Sequence, residues 1–254
     1  MRAAGVPLTD LRPVVAEHGR DPVFATVSGA HLYGFPSRDS DIDIRGAHLL
    51  PVRDLVGLGE AEETRTRTGD RDGVETDVVT HDLRKFVRLM LRRNGYVLEQ
   101  LLSPLIVHTS PPHAELVALA PAVVTTHHAH HYRGFARTQW RLHEKTGELK
   151  PLLYTFRALL TGIHLLRSGE TVAHLPTLAE EVAEAPAARL TDGIAAKVHA
   201  EHAPAEEVAA GADRDVDALH AVLDAEQAAS RLPDAPGAYD ALDDLLVRAR
   251  LGRG

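Results

Sequence analysis

Between Ser40 and Ile44 the chain reads Ser-Asp-Ile-Asp-Ile, and this alternation constrains the fold more than any other stretch. In a strand, successive side chains point to opposite faces, so Asp41 and Asp43 share one face while Ile42 and Ile44 share the other. The apolar face needs a core to cover it. The acidic face carries two carboxylates about 7 Å apart, which repel each other unless a cation lies between them. Hard divalent ions take oxygen ligands of this kind, and Mg²⁺ commonly uses one or two carboxylates together with substrate phosphates. Just upstream, the strand-forming run Val23 to Val27 ends in a Ser28-Gly29-Ala30 turn. Gly29 lets backbone N–H groups come close to an anion, and a helix opening after it favours phosphate at its N-terminus. An Asp-x-Asp by itself reads equally well as two surface acids on a solvated strand edge. The glycine turn at fixed spacing, with a third acid downstream, tips the reading towards phosphoryl or nucleotidyl transfer.

The third acid lies in Val74 to Thr80, which reads as a further strand. Asp77 is the natural candidate, but Glu75 has the same strand parity and rivals it. The rest of the chain is punctuated clearly. Leu8 to His18 reads as a short helix, Val23 to Ser28 and Ser40 to Arg45 as strands, and Gly57 to Asp72 as a polar loop or hairpin arm. A helix from Asp82 to Arg93 buries Leu83, Phe86, Val87 and Met90, and Asn94 reads as the cap before a helix from Tyr96 to Leu102. Leu105 to Val107 is a last short strand, and beyond Ala114 only helical periodicity is visible.

In that helical half, His127, His128, His130 and His131 have no Cys or acid at ligand spacing, so they read as solvated or hydrogen-bonded side chains near a helix start. Arg133, Arg137 and Arg141 fall on one helix face. A helix from Pro151 to Arg167 carries an apolar stripe and a polar one holding Tyr154, Arg157, Thr161 and His164. Such stripes are usually solvated faces. Lys150 and Arg157 are the expected nucleotide contacts where these helices border the phosphate-handling part. The Ala-rich, acidic tail from Leu178 to Arg250 shows no chemistry of its own.

Gly29-Ala30, ten intervening residues and Asp41-x-Asp43 resemble the signature of the DNA polymerase β-like nucleotidyltransferase superfamily. The fuller pattern resembles its RlaP branch, predicted nucleotidyltransferases named for association with an RNA ligase. That pattern is Tyr33-Gly34, Ser40-Asp41, Arg45-Gly46 and the block from Asp77 to Leu105. The likeness covers about residues 20 to 165 and fades beyond, and Ala30 stands where the superfamily usually has serine. It implies an α+β fold: a small mixed β-sheet, palm-like as in polymerase β, with flanking helices, then a helical second domain. The expected division is a catalytic domain over residues 1–110 and a helical domain over 111–254 that closes the active-site cleft.

The resemblance further implies transfer of a nucleoside monophosphate, AMP by family habit, from an NTP to an acceptor hydroxyl. Asp41, Asp43 and Asp77 would hold Mg²⁺ or Mn²⁺, while Gly29, Ala30 and Ser40, with Lys150 and Arg157, would hold the nucleotide. An RNA 3′ end is the expected acceptor. A protein hydroxyl, as in toxin–antitoxin nucleotidyltransferases, and a nucleotide-binding regulatory module without turnover are the alternatives.

Composition limits the setting. The chain has 254 residues, 44% hydrophobic and 25% charged, enough for a proper core. Its net charge of −8 argues against a broad nucleic-acid surface and leaves room for a local basic groove. It has no cysteine, no apolar run of membrane-spanning length and no apolar leader in Met1 to Leu11, which together favour the cytoplasm and exclude thiol chemistry.

Overall fold

A computed structural model describes residues 5–7, 10–200 and 202–252. The elements in order are α1 (Arg12–Ala16), β1 (Asp21–Val27), α2 (Gly29–Tyr33), β2 (Ile42–Leu49), α3 (Val52–Val56), β3 (Thr64–Arg71), β4 (Val74–Asp82), α4 (Leu83–Leu91), α5 (Gly95–Leu101) and β5 (Ile106–His108). Helices follow: α6 (Pro111–Val123), α7 (His128–Thr146), α8 (Leu149–Ser168), α9 (Leu175–Glu181), α10 (Ala187–Lys197), α11 (Glu206–Ala209), α12 (Ala212–Ala229) and α13 (Tyr239–Leu251). The α+β class is the expected one. Leu8 and Thr9, at the start of the first expected helix, lie outside the described residues.

The chain divides into two compact units, and not at residue 110. One unit holds the chain up to Gly29, Asp41–Val123 and the segment from Ala235 on, and the other holds Ala30–Ser40 and Val124–Asp234. The expected boundary therefore falls inside the first unit. Ion pairs explain why α6 and α13 belong there. Arg248 of α13 pairs with Glu115 of α6 at 2.7 Å, and Arg250 grips the carboxylate of Asp82 at 2.6 Å.

The first unit is a five-stranded sheet in the order β3-β4-β2-β1-β5. β2 and β4 run parallel, and the other neighbouring pairs are antiparallel. Ile42, Ile44 and Val78 are fully buried on one face of β2 and β4, so a slip of one residue would turn that whole set outward. On the neighbouring strand, Phe24 meets Phe86 of α4 edge-on at 5.1 Å and stacks on His113 of α6 at 4.6 Å. Leu83, Phe86, Val87 and Met90 of α4 are buried as their spacing predicts. Asn94 caps α5 by accepting from the backbone N–H of Tyr96 at 3.0 Å.

The polar stretch before β4 is the hairpin arm. β3 pairs with β4 from Thr64–His81 to Arg71–Val74, closed by Asp72-Gly73 with both φ values positive. Two successive positive φ values give the twist that a two-residue hairpin needs.

In the second unit α7 and α8 are successive helices, each closed by a left-handed glycine, Gly147 and Gly169. α8 is covered on nearly every side, so its expected polar stripe is not a solvated face: Arg157 and Thr161 are buried. Arg133 pairs with Asp224, and Arg167 with Glu184 and Glu226, which ties α12 to the pair.

Asp82 is completely buried, caps α4 through the N–H of Arg84, and accepts from the N–H of Leu50. Arg250 supplies its counter-charge and also donates to the Leu50 carbonyl at 2.7 Å. Removing one partner of a buried pair leaves the other charge uncompensated. Arg250→Ala should therefore destabilise the protein by about 3–5 kcal/mol, read as a lower urea midpoint, whereas the exposed Arg93→Ala should leave it level.

Two buried histidines share one hydroxyl: His18 Nε2 and His48 Nδ1 each lie 2.8 Å from Thr80 Oγ1. Burial, reinforced by Arg65, Arg67 and Arg20, pushes the His18 imidazole down to about 4. Burial also takes His48 to about 4, helped by Arg20, His18 and His81 and opposed by Asp82. Unfolded histidines take up protons near pH 6.5, so the unfolded chain binds more protons between there and about 4. This contribution is fully present above pH 6.5 and is lost as pH falls through that window. The melting temperature should drop from pH 6.5 towards 4, and His18→Gln should flatten the slope. An unchanged slope would remove His18 from the account.

Candidate active site

The site grows from the pairing of β2 with β4. Asp43 stands directly beside Asp77 in the parallel register, with Ile42 beside Thr76 and Ile44 beside Val78. Asp41 precedes β2 with the same parity as Asp43, and both are half-buried. Glu75 is exposed and sits two residues away, opposite Asp70 of β3. Of the two rival acids, Asp77 is thus the one next to Asp43.

Arg45 has the same parity as Asp41 and Asp43, and its guanidinium lies between Asp43 and Asp77. Nη2 donates to Asp43 Oδ1 at 2.5 Å and to Asp77 Oδ2 at 2.9 Å. Nη1 donates to the carbonyls of Ile44 at 3.0 Å and Asp77 at 2.8 Å, and Nε donates to the Tyr96 hydroxyl at 3.2 Å. Burial opposes the charge on this guanidinium, but Tyr96, Asp43 and Asp77 outweigh it and raise its pKa. Arg45 was legible only as part of a motif. Its role follows from strand parity, the same rule that paired Asp41 with Asp43.

Gly29 bounds the other side of Asp43. Its φ is +60°, and a Cβ added there would lie 1.9 Å from Asp43 Oδ2. Only glycine lets the turn press against that carboxylate. The backbone closes the same contact, since Ser28 N–H donates to the Asp43 carbonyl at 2.8 Å.

The remaining expected residues lie in the second unit. Ala30 is buried, and its carbonyl accepts from the N–H groups of Gly34 and Phe35. Ser40 Oγ accepts from the N–H of Ser37 and lies 2.9 Å from Ser37 Oγ, which Lys197 Nζ reaches at 3.0 Å. Sequence reading missed that fully buried lysine. Arg157 lies over the Tyr33 ring at 3.9 Å, with Phe135 and Tyr154 nearby, and Lys150 lies 5.9 Å from the Tyr154 ring. Among the histidines, His128 Nδ1 accepts from the N–H of Thr125 at 3.1 Å, and His127 stacks on His130.

The donor set suits a hard cation. Asp43 and Asp77 already turn one oxygen each onto a single positively charged nitrogen, and carboxylates are ligands that Mg²⁺ and Mn²⁺ accept. Among the described residues no three Asp, Glu or His side chains converge as a closed cage. Asp43 and Asp77 instead both pair with Arg45.

This chain belongs to the RNA repair pathway DNA polymerase beta family, RlaP, whose model matches residues 6–248. The match runs well past residue 165, beyond the span of the resemblance read from the sequence, and takes in most of α13. The chain is similar to the uncharacterized protein MJ0002 of Methanocaldococcus jannaschii, 34% identical over 155 residues, which is 59% of this chain and 62% of that protein. It is also similar to the uncharacterized protein YcgL of Bacillus subtilis, 27% identical over 157 residues, which is 60% of this chain and 59% of that protein. The chain thus spans about three fifths of the length of the curated relatives it matches. Among the described residues no helix is long and apolar enough to cross a membrane.

The contact between Gly29 and Asp43 gives a double-mutant test. Gly29→Ala should cost about 1–3 kcal/mol, from the positive φ and from the clash with the Asp43 carboxylate. Asp43→Ala removes the clashing oxygen, so the double variant should recover part of that loss in chemical denaturation. Strict additivity would show that the turn does not press on Asp43.

Proposed function

We propose that this protein transfers a nucleoside monophosphate from an NTP, with ATP the expected donor, to the hydroxyl of an RNA 3′ end. The observation that carries the reading is the registered Asp43–Asp77 pair with the Gly29 turn against Asp43, and Asp41 has the strand parity of Asp43. Membership of a polymerase β-type family in an RNA repair pathway supports the same reaction class.

Asp41, Asp43 and Asp77 would hold Mg²⁺ or Mn²⁺, which when bound neutralises the triphosphate and makes a hydroxyl a better nucleophile. Asp41 and Asp43 serve the triphosphate side. Asp77, on the neighbouring strand, serves the acceptor side. Gly29 and Ala30 would offer backbone N–H groups to the phosphates. Ala30 lacks the hydroxyl that the superfamily usually places there, a loss of about 1.5–3 kcal/mol for a charge-assisted hydrogen bond, so the grip rests on the backbone. Ser40, Lys150 and Arg157 are further candidate nucleotide contacts.

The test is incubation with each α-labelled NTP, Mg²⁺ or Mn²⁺, and pooled RNA or lysate. Label should enter RNA, and most strongly from ATP. Label in protein would replace the acceptor with a protein hydroxyl. Binding without transfer would leave a regulatory module. Asp43→Asn should slow transfer roughly a thousandfold without lowering the unfolding midpoint by more than the lost Arg45 contact. Asp77→Asn should hold Mg-NTP almost as well as wild type and still transfer slowly, while Glu75→Gln should transfer normally.

A further inference from the structure

The five N–H donors of the Arg45 guanidinium are all accounted for: one on the Tyr96 hydroxyl, two on backbone carbonyls and two on the carboxylates of Asp43 and Asp77. A guanidinium is a rigid planar fork, so Nη2 cannot swing away from the carboxylates while the other donors stay in place. The oxygens it holds, Asp43 Oδ1 and Asp77 Oδ2, belong to two of the carboxylates that would hold a divalent ion. Resting on the reading of this site as a divalent-cation site, we infer that Arg45 is its resident counter-ion, which a metal bridging Asp43 and Asp77 must displace.

Two consequences follow. Without nucleotide, the bridging ion competes with a charge already in place, so the protein binds divalent metal weakly. When the guanidinium is released it needs a new oxyanion, and a phosphate supplies one with charge-assisted geometry. Nucleotide and bridging metal therefore enter together, and Arg45 makes metal loading conditional on the triphosphate. The device keeps the carboxylates aligned between turnovers, because Arg45 relieves the repulsion that would otherwise splay β2 from β4.

The test titrates Mn²⁺ into the full chain without nucleotide and follows the free-ion EPR signal. Arg45→Gln should bind Mn²⁺ roughly tenfold more tightly than wild type, and adding Asp43→Asn should abolish the gain. Nucleotide should then strengthen Mn²⁺ binding more in wild type than in Arg45→Gln. Tyr96→Phe keeps the charge but removes the acceptor of Nε, and should tighten Mn²⁺ binding roughly threefold. It decides the matter if Arg45→Gln does not fold. Equal or weaker binding in these variants, with Asp43→Asn still reducing Mn²⁺ binding in wild type, would overturn the role of Arg45 and leave the metal site standing. If Asp43→Asn changes nothing in any background, the metal site itself fails, and the role of Arg45 with it.

Discussion

Two carboxylates side by side on neighbouring strands are the interaction on which the rest of this site depends. Paired positions across a sheet are roughly 5 Å apart, where two like charges repel by about 3 kcal/mol at an effective dielectric of about 20. The register that causes this is fixed from the opposite face. Ile42, Ile44 and Val78 are buried there, and no slip relieves the acids without exposing the core. The hydrophobic pattern thus forces Asp43 against Asp77, and something positive must answer it. Arg45 does so from the same strand, with its fork anchored to backbone and to Tyr96.

The same logic recurs at the far end of β4. Asp82 is buried where it caps α4, and Arg250 arrives from 168 positions away to match it. β4 therefore carries one acid answered by its strand neighbour and another answered by the last helix. The two differ in access. Asp82 is wholly enclosed, whereas the side chains of Asp43 and Asp77 keep 21% and 26% of their surface in solvent. An enclosed pair is structural glue whose loss is costly. A solvent-reachable pair can exchange its counter-ion, which the proposed reaction would require.

How much was legible follows from the range of each interaction. The buried stripe of α4 and the Asn94 cap are local patterns that the structure repeats. Parity alone leaves Asp77 level with Glu75, and the placing of Asp77 beside Asp43 needs the long-range pairing of β2 with β4. β3 was harder, because Thr64 to Arg71 is polar on both faces and its strand character comes from β4 and the Asp72-Gly73 turn. The return of α13 to the first unit was hidden because an arginine near a chain end carries no sign of a buried aspartate elsewhere. α8 misled for the opposite reason. Its Arg157 and Thr161 look like a solvated stripe, but arginine can bury its charge against aromatic rings, and Tyr33 and Phe135 come from distant segments.

Charge explains why the site as it stands is incomplete for its proposed substrate. Asp43 and Asp77 share the Arg45 guanidinium, and Asp41 stands two residues before Asp43. A triphosphate carries several more of the same sign and would be repelled from such a cluster, the more so in a chain whose net charge is −8. A second arginine placed nearby would balance the acids permanently and leave no ligand oxygens for the reaction. Under the proposed function, a divalent ion would offset these acids only while it is bound and would bring the phosphates with it. A resident guanidinium that gives way to an exchangeable cation would therefore keep the strands paired at rest and still admit the proposed NTP.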